Sequence, residues 1–260
     1  ELTRAFVEEG FDAFPREKVS DLLFVTLTEY QKNLPVEVAF PPLEISSTLT
    51  SVISASGLAQ LHIAETEKYA HVTYFFNGGR EEAYPGEERI LIPSPVTAHF
   101  DQTPEMSASE ITDALLANLS GHDFILVNFA NADMVGHPGN YDATRKAIEA
   151  LDDSLGKIMA RLLEMGGVMM VTGDHGNAEE KVYRGTGEKR TKHTINPVPF
   201  YLVRGEFRRI EPRSPEEVSA LYDRVGGVIS DVAPTVLELL GLPVPEDMTG
   251  VSLLAKLLGK

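Results

Sequence analysis

The strongest constraint on the fold of this chain is an alternation. Short runs rich in β-branched and other apolar residues are followed repeatedly by segments with helical apolar spacing, the pattern of βαβ units on a mostly parallel sheet. The runs are Leu22 to Thr28, Gln60 to Ala64, Val72 to Phe76, Phe124 to Ala130, Val168 to Thr172 and Val198 to Val203. FILVNFA and VMMVT are apolar at successive positions, so both faces of those strands should be covered by helices.

The intervening helices carry their own signals. Ser107 with Glu110 reads as a capping box ahead of Ile111, Leu115, Leu116 and Leu119. A longer helix from about Asp142 to Met165 aligns Ile148, Leu151, Leu155, Ile158, Leu162 and Met165 on one side and stops at Gly166-Gly167. A last pair is expected near Asp231 to Leu240 and Ser252 to Leu258, whereas Glu206 to Glu217 is charged and loop-like. The prolines of NLPVEVAFPPLE, between Pro35 and Pro42, mark either a hinge or an ordinary loop ahead of a helix beginning near Ser46. The expected fold class is α/β, a mostly parallel sheet with helices on both faces.

Composition narrows the function. With 43% hydrophobic residues the 260-residue chain can fill a sizeable core. Its formal charge of −16 repels nucleic acid and anionic membranes, and any phosphate site would need its own positive charge. There is no cysteine, so a metal must be held by His and carboxylate. No apolar run reaches the roughly 20 residues of a membrane span, and ELTRAFVEEG lacks the features of a signal peptide, so a cytoplasmic protein is expected. The opening without methionine, inside an apparent helix, suits a fragment or a processed product.

The chemistry gathers at strand ends. FILVNFA runs into Asn131, Asp133 and His137, a D-x-x-x-H spacing at the edge where parallel sheets bind ligands. VMMVT ends in Gly173-Asp174-His175-Gly176-Asn177, and a third imidazole, His193, precedes the run VPFYLV. Singly each His reads as an ordinary structural residue. Together, three His and two Asp form a mixed N/O set suited to Mn²⁺, Zn²⁺, Co²⁺ or Mg²⁺, and too large for one catalytic zinc. Two metals about 3.5 to 4 Å apart, serving phosphate chemistry, accommodate it. Lys68 beside Glu67 reads on residue type alone as a surface ion pair. His71 reads as structural on a strand edge, and His62, His99 and His122 lack an acid or imidazole partner at a useful spacing. Gly78-Gly79 suits a simple turn better than a phosphate cradle, with Arg80 a nearby anion contact.

The segments Glu65 through Thr73, Phe75 through Glu81, Asn128 through His137, Gly173 through Glu179 and His193 through Pro199 are long and collinear, and they resemble motifs of the bacterial and plant type of cofactor-independent phosphoglycerate mutase. The likeness extends from Leu2 to Gly250, with a divergent stretch near residues 205 to 225. It implies an alkaline-phosphatase-like fold, incomplete at the N-terminus, with residues 1–40 a remnant of the substrate-binding domain and hinge and 41–260 the metal-binding domain. It implies interconversion of 3-phosphoglycerate and 2-phosphoglycerate in glycolysis through a phosphoserine and two Mn²⁺, with Mg²⁺, Co²⁺ or Zn²⁺ as substitutes. Carried over by motif, Asp133, His137 and His193 hold one metal, Asp174 and His175 belong to the second, and Lys68 neutralises phosphate between them. The complete enzyme would be a cytoplasmic monomer acting on phosphoglycerate, without nucleic acid or membrane partners.

The family's nucleophile is a serine in a G-N-S-E-type segment, which also feeds the second metal together with an early aspartate; neither segment occurs here. The chain alone is therefore expected to bind its second metal weakly, to lack mutase turnover and to self-associate through uncovered apolar surface. Alternatives are another phosphomutase or phosphodiesterase of the alkaline phosphatase group, against which ETEKY argues, and a metal-binding module without catalysis.

Overall fold

The computed structural model describes residues 2–41, 45–207, 211–222 and 224–259. The chain divides into two compact units, Glu1–Ser46 and Ser47–Lys260. The first holds helix α1 (Leu2–Val7) and two short parallel strands, β1 (Val25–Thr26) and β2 (Glu37–Val38). The run Leu22 to Thr28 thus yields a two-residue strand, and the stretch read as a hinge or loop contributes its partner. Pro42, at the end of that stretch, lies outside the described residues.

The second unit runs α2 (Leu49–Ala55), β3 (Gln60–Glu65), α3 (Tyr69–Val72), β4 (Glu87–Ile92), α4 (Ala108–Asn118), β5 (Phe124–Asn128), α5 (Asn131–Met134), α6 (Tyr141–Glu164), β6 (Met169–Thr172), β7 (Phe200–Val203), α7 (Pro215–Tyr222), α8 (Val232–Leu240) and α9 (Leu254–Leu257). A parallel sheet in the order β4-β3-β5 forms its centre, with Gln60 opposite both Glu87 and Phe124. One face packs Leu61 and Ile63 against Ile111, Leu115 and Ile158 of α4 and α6. The other core layer joins Leu49 and Ile53 of α2 to Val236 and Leu237 of α8. Burying each such side chain is worth about 1.5–3 kcal/mol, so the helices on both faces hold the sheet rigid beneath the loops that follow its strands.

A separate two-stranded sheet lies later in the chain. β6 and β7 pair antiparallel, Met169 opposite Val203, with no ladder to β5 among the described residues. Even so, Ile125, Val127 and Met169 share one core layer, and Phe124 and Met170 share the other. The run Val198 to Val203 starts its ladder only at Phe200, after Pro197 and Pro199, which have no N–H to donate.

Several sequence expectations give way. The run Val72 to Phe76 is not a strand: a 3-10 turn at Thr66–Lys68 feeds α3, and Asn77 N donates to Thr73 O while Gly79 N donates to Tyr74 O. Its β-propensity yields to these turns and to His62, whose Nδ1 lies 2.6 Å from Val72 O. His71 therefore sits on a helix. The charged segment Glu87–Ile92, passed over in the sequence, is a full strand. Ser107 is the N-cap of α4 without forming the capping box, because its hydroxyl donates to Pro93 O at 2.8 Å. On α6 the buried side is Ala143, Thr144, Ala147, Ser154 and Ile158, leaving Ile148 and Met165 exposed. Part of Glu206 to Glu217 is helical in α7, and residues 208–210 of that stretch lie outside the described residues.

Candidate metal centre

The loops after β5 and β6 and the loop before β7 carry the acid and imidazole residues. Asn131, buried at the start of α5, donates through Nδ2 to Pro104 O (2.9 Å) and Glu105 O (2.7 Å), anchoring the turn that follows. Asp133 and His137 lie one turn apart, closed by His137 N donating to Asp133 O at 3.1 Å. His193 arrives from a remote loop, tied down where Thr194 N donates to Gly176 O at 2.8 Å.

These three side chains meet. His193 Nε2 lies 3.1 Å and His137 Nε2 3.2 Å from Asp133 Oδ1, and the two Nε2 atoms are 3.3 Å apart. The other oxygen, Oδ2, accepts from Lys68 Nζ. Lys68 is 9% exposed, so it is a buried partner of Asp133 and not the surface residue its neighbour Glu67 suggested. Burial pushes the Asp133 carboxyl up, yet hydrogen bonds from Lys68 and Asn177 and the Lys68 charge outweigh it and hold the pKa at about 2. The group is a firm anion at neutral pH.

The donor set fits a divalent cation. His137 Nδ1 is 3.0 Å from Thr191 O, a carbonyl that can only accept, so Nδ1 carries the proton in the neutral ring and Nε2 turns a lone pair inward. A single proton cannot satisfy two facing ring nitrogens and the shared carboxylate oxygen, whereas a cation between them engages all three. Asp133, His137 and His193 are the one group of this kind among the described residues, their ligand atoms within 4.8 Å of one another.

Asp174 and His175 do not join that group. Asp174 is exposed and sits 3.5 Å from His175 Nε2, while the His175 ring stacks on His193 with centroids 3.6 Å apart at 17°. The stack puts the second strand-end loop directly against the first cluster. Among the described residues, none of the remaining histidines belongs to that group. His62 and His122 do have acids nearby, Glu87 at 3.7 Å and Glu88 at 3.4 Å, supplied by the strand that the sequence did not reveal.

A family model described as the metalloenzyme superfamily matches residues 22–244. The chain belongs to the metalloenzyme superfamily. Within this superfamily it is 48% identical over 98% of its length to a 2,3-bisphosphoglycerate-independent phosphoglycerate mutase of Acaryochloris marina, covering 47% of that protein. Its identity to the namesake enzyme of Clostridium botulinum is 49%, covering 48% of it. The chain spans about half the length of the curated relatives it matches. A crystal structure of Leishmania mexicana phosphoglycerate mutase at low cobalt concentration superposes with a TM-score of 0.71 and 32% identity, over 96% of this chain and 47% of that one. A 2-O GAG sulfatase has a similar fold, with a TM-score of 0.54 at 15% identity over 84% of this chain and 57% of that one.

Sequence reasoning gave no role to three neighbours of the cluster. Asn177 Nδ2 donates to Asp133 Oδ1 at 2.6 Å, the buried Lys181 donates to Asn177 Oδ1, and Glu179 accepts from Asn177 N at 2.7 Å. The signals available were their place in or just after the glycine-flanked loop that follows β6 and, for Asn177 and Glu179, the family-like segment Gly173 through Glu179.

Proposed function

We propose that this chain is the metal-binding half of a phosphoglycerate mutase, interconverting 3-phosphoglycerate and 2-phosphoglycerate through a phosphoserine whose serine lies in a segment this chain does not contain. The observation that carries the reading is the convergence of Asp133, His137 and His193 beside a buried Lys68. The near 50% identity to mutases of twice the length supports it.

In this reading Asp133, His137 and His193 hold one ion, and Asp174 and His175 contribute to a second. Manganese suits the mixed set of carboxylate and imidazole, with magnesium, cobalt or zinc as substitutes. The bound metals supply Lewis acidity that lowers the pKa of a coordinated hydroxyl and offsets charge on the phosphoryl oxygens. The chain's own residues do the rest. Lys68 brings a positive charge on a flexible stem, released from Asp133 to follow the phosphoryl group. Thr191 O keeps the His137 lone pair directed at the cluster. Residues 1–40 are assigned to the substrate-binding domain and hinge, 41–260 to the metal-binding domain, and the whole enzyme to glycolysis in the cytoplasm.

With no nucleophile to receive the phosphoryl group, the 260-residue chain should bind Mn²⁺ but show no mutase turnover, and adding the missing half should restore it. Electron paramagnetic resonance of free Mn²⁺ and a coupled mutase assay test this. A chain that leaves the free Mn²⁺ signal untouched, or that interconverts the two phosphoglycerates unaided, overturns the reading.

A further inference from the structure

Asn177 is 3% exposed and makes contacts in four directions. Its Nδ2 donates to Asp133 Oδ1 at 2.6 Å and to Asp133 O at 3.2 Å. Its Oδ1 accepts from Lys181 Nζ, which is buried and also donates to Gly136 O at 3.0 Å, beside His137. Its backbone N donates to Glu179 Oε2 at 2.7 Å. Glu179 in turn accepts through Oε1 from Thr194 Oγ1 and from Asn196 Nδ2 at 2.9 Å, on the loop carrying His193. Asn177 thus joins the Asp133 turn to the His175 loop directly, and to the His193 loop through Glu179.

Two glycines permit this packing, Gly136 against Asn177 and Gly176 against Thr194 and Glu179. A Cβ on Gly136 would stand 2.8 Å from Asn177 Oδ1 and 2.6 Å from Ala132 O. A Cβ on Gly176 would stand 2.1 Å from Thr194 Oγ1 and 2.5 Å from Glu179 Oε1. Neither glycine has a positive φ, so close approach and not backbone conformation demands them.

We infer that Asn177 is the positioning residue of the metal centre, fixing the orientation of the Asp133 carboxylate and the register between the two strand-end loops. The inference rests on the reading of Asp133, His137 and His193 as metal ligands. An amide suits the task. It offers a donor to the anionic ligand and an acceptor to the buried ammonium, so both neighbours are satisfied without placing a second negative charge beside Asp133.

The test uses the 260-residue chain, wild type and Asn177→Ala, titrated with Mn²⁺ and followed by the free-ion paramagnetic signal and by thermal melting without metal. Loss of an outer hydrogen-bonding partner weakens metal binding about 10–100-fold, and that loss is expected here, with an altered spectrum of the bound Mn²⁺. A merely structural asparagine would lower the melting temperature and leave both the affinity and the bound spectrum unchanged, and that result overturns the inference. Asn177→Ser, which keeps a small polar group but cannot reach Asp133, should show the same weakening. It decides the matter should the alanine variant fail to fold. Wild-type protein that binds no Mn²⁺ would instead sink the metal reading itself.

Discussion

Asp133 carries opposing demands, since the same carboxylate must bind a cation when one is present and balance Lys68 when none is. Asp133→Asn removes the anion from both. Mn²⁺ binding should be lost, and the metal-free chain should lose on the order of 3 kcal/mol, because Lys68 stays buried without its counter-ion. Denaturant unfolding of the two proteins without metal measures this. The same residue predicts an acid transition. Its folded pKa of about 2 lies below the roughly 3.9 of an unfolded aspartate, so its contribution is complete above the unfolded value and is lost as pH falls towards 2. Wild-type stability should drop across that window by about 2 kcal/mol more than that of Asp133→Asn. Equal acid slopes in the two proteins would contradict the assignment.

The elements differ in how far their sequences reveal them. β3, β5 and β6 were legible because apolar runs at their cores meet helices on both faces, and Asp133, His137 and His193 were legible because each follows or precedes such a run. β4 was not, since Glu87 and Arg89 satisfy each other at 2.5 Å inside the fold and disguise a strand as a charged loop. Nor was α3, where turn hydrogen bonds override β-branched residues. α6 starts at Tyr141, one residue before the expected Asp142, and its N-cap is Asn140, whose Oδ1 accepts from Ala143 N at 3.2 Å. Asn140→Ala should cost about 1 kcal/mol in unfolding free energy, with Mn²⁺ affinity unchanged. At the end of β3, Glu65 is fully buried, with Ser94 and Ser107 beside its carboxylate. Burial pushes its pKa up, so it favours the fold below the unfolded pKa and this benefit is lost as pH rises through the folded one. Glu65→Gln should therefore gain stability on the wild type between pH 4 and pH 8, a gain that paired melts at the two pH values would reveal.

At the scale of the molecule, the two core layers continue past the edge of the parallel sheet. Ile125 and Val127 meet Met169 in one layer and Phe124 meets Met170 in the other, so β5 and β6 lie between the same helices. Among the described residues the ladders nonetheless stop at β5 on one side and begin again at β6, and all five residues of β5 are only half-buried. A strand edge with free N–H and C=O groups flanked by half-covered apolar side chains is a template for another strand. The relatives are twice as long as this chain, which leaves ample polypeptide to supply one. The isolated chain should accordingly self-associate, its weight-average mass rising with concentration in sedimentation equilibrium. Addition of the further polypeptide that the longer relatives carry should shift the equilibrium towards monomer. A chain that remains monomeric at all concentrations would show that β5 and β6 need no further strand, and would count against the half-enzyme reading as well.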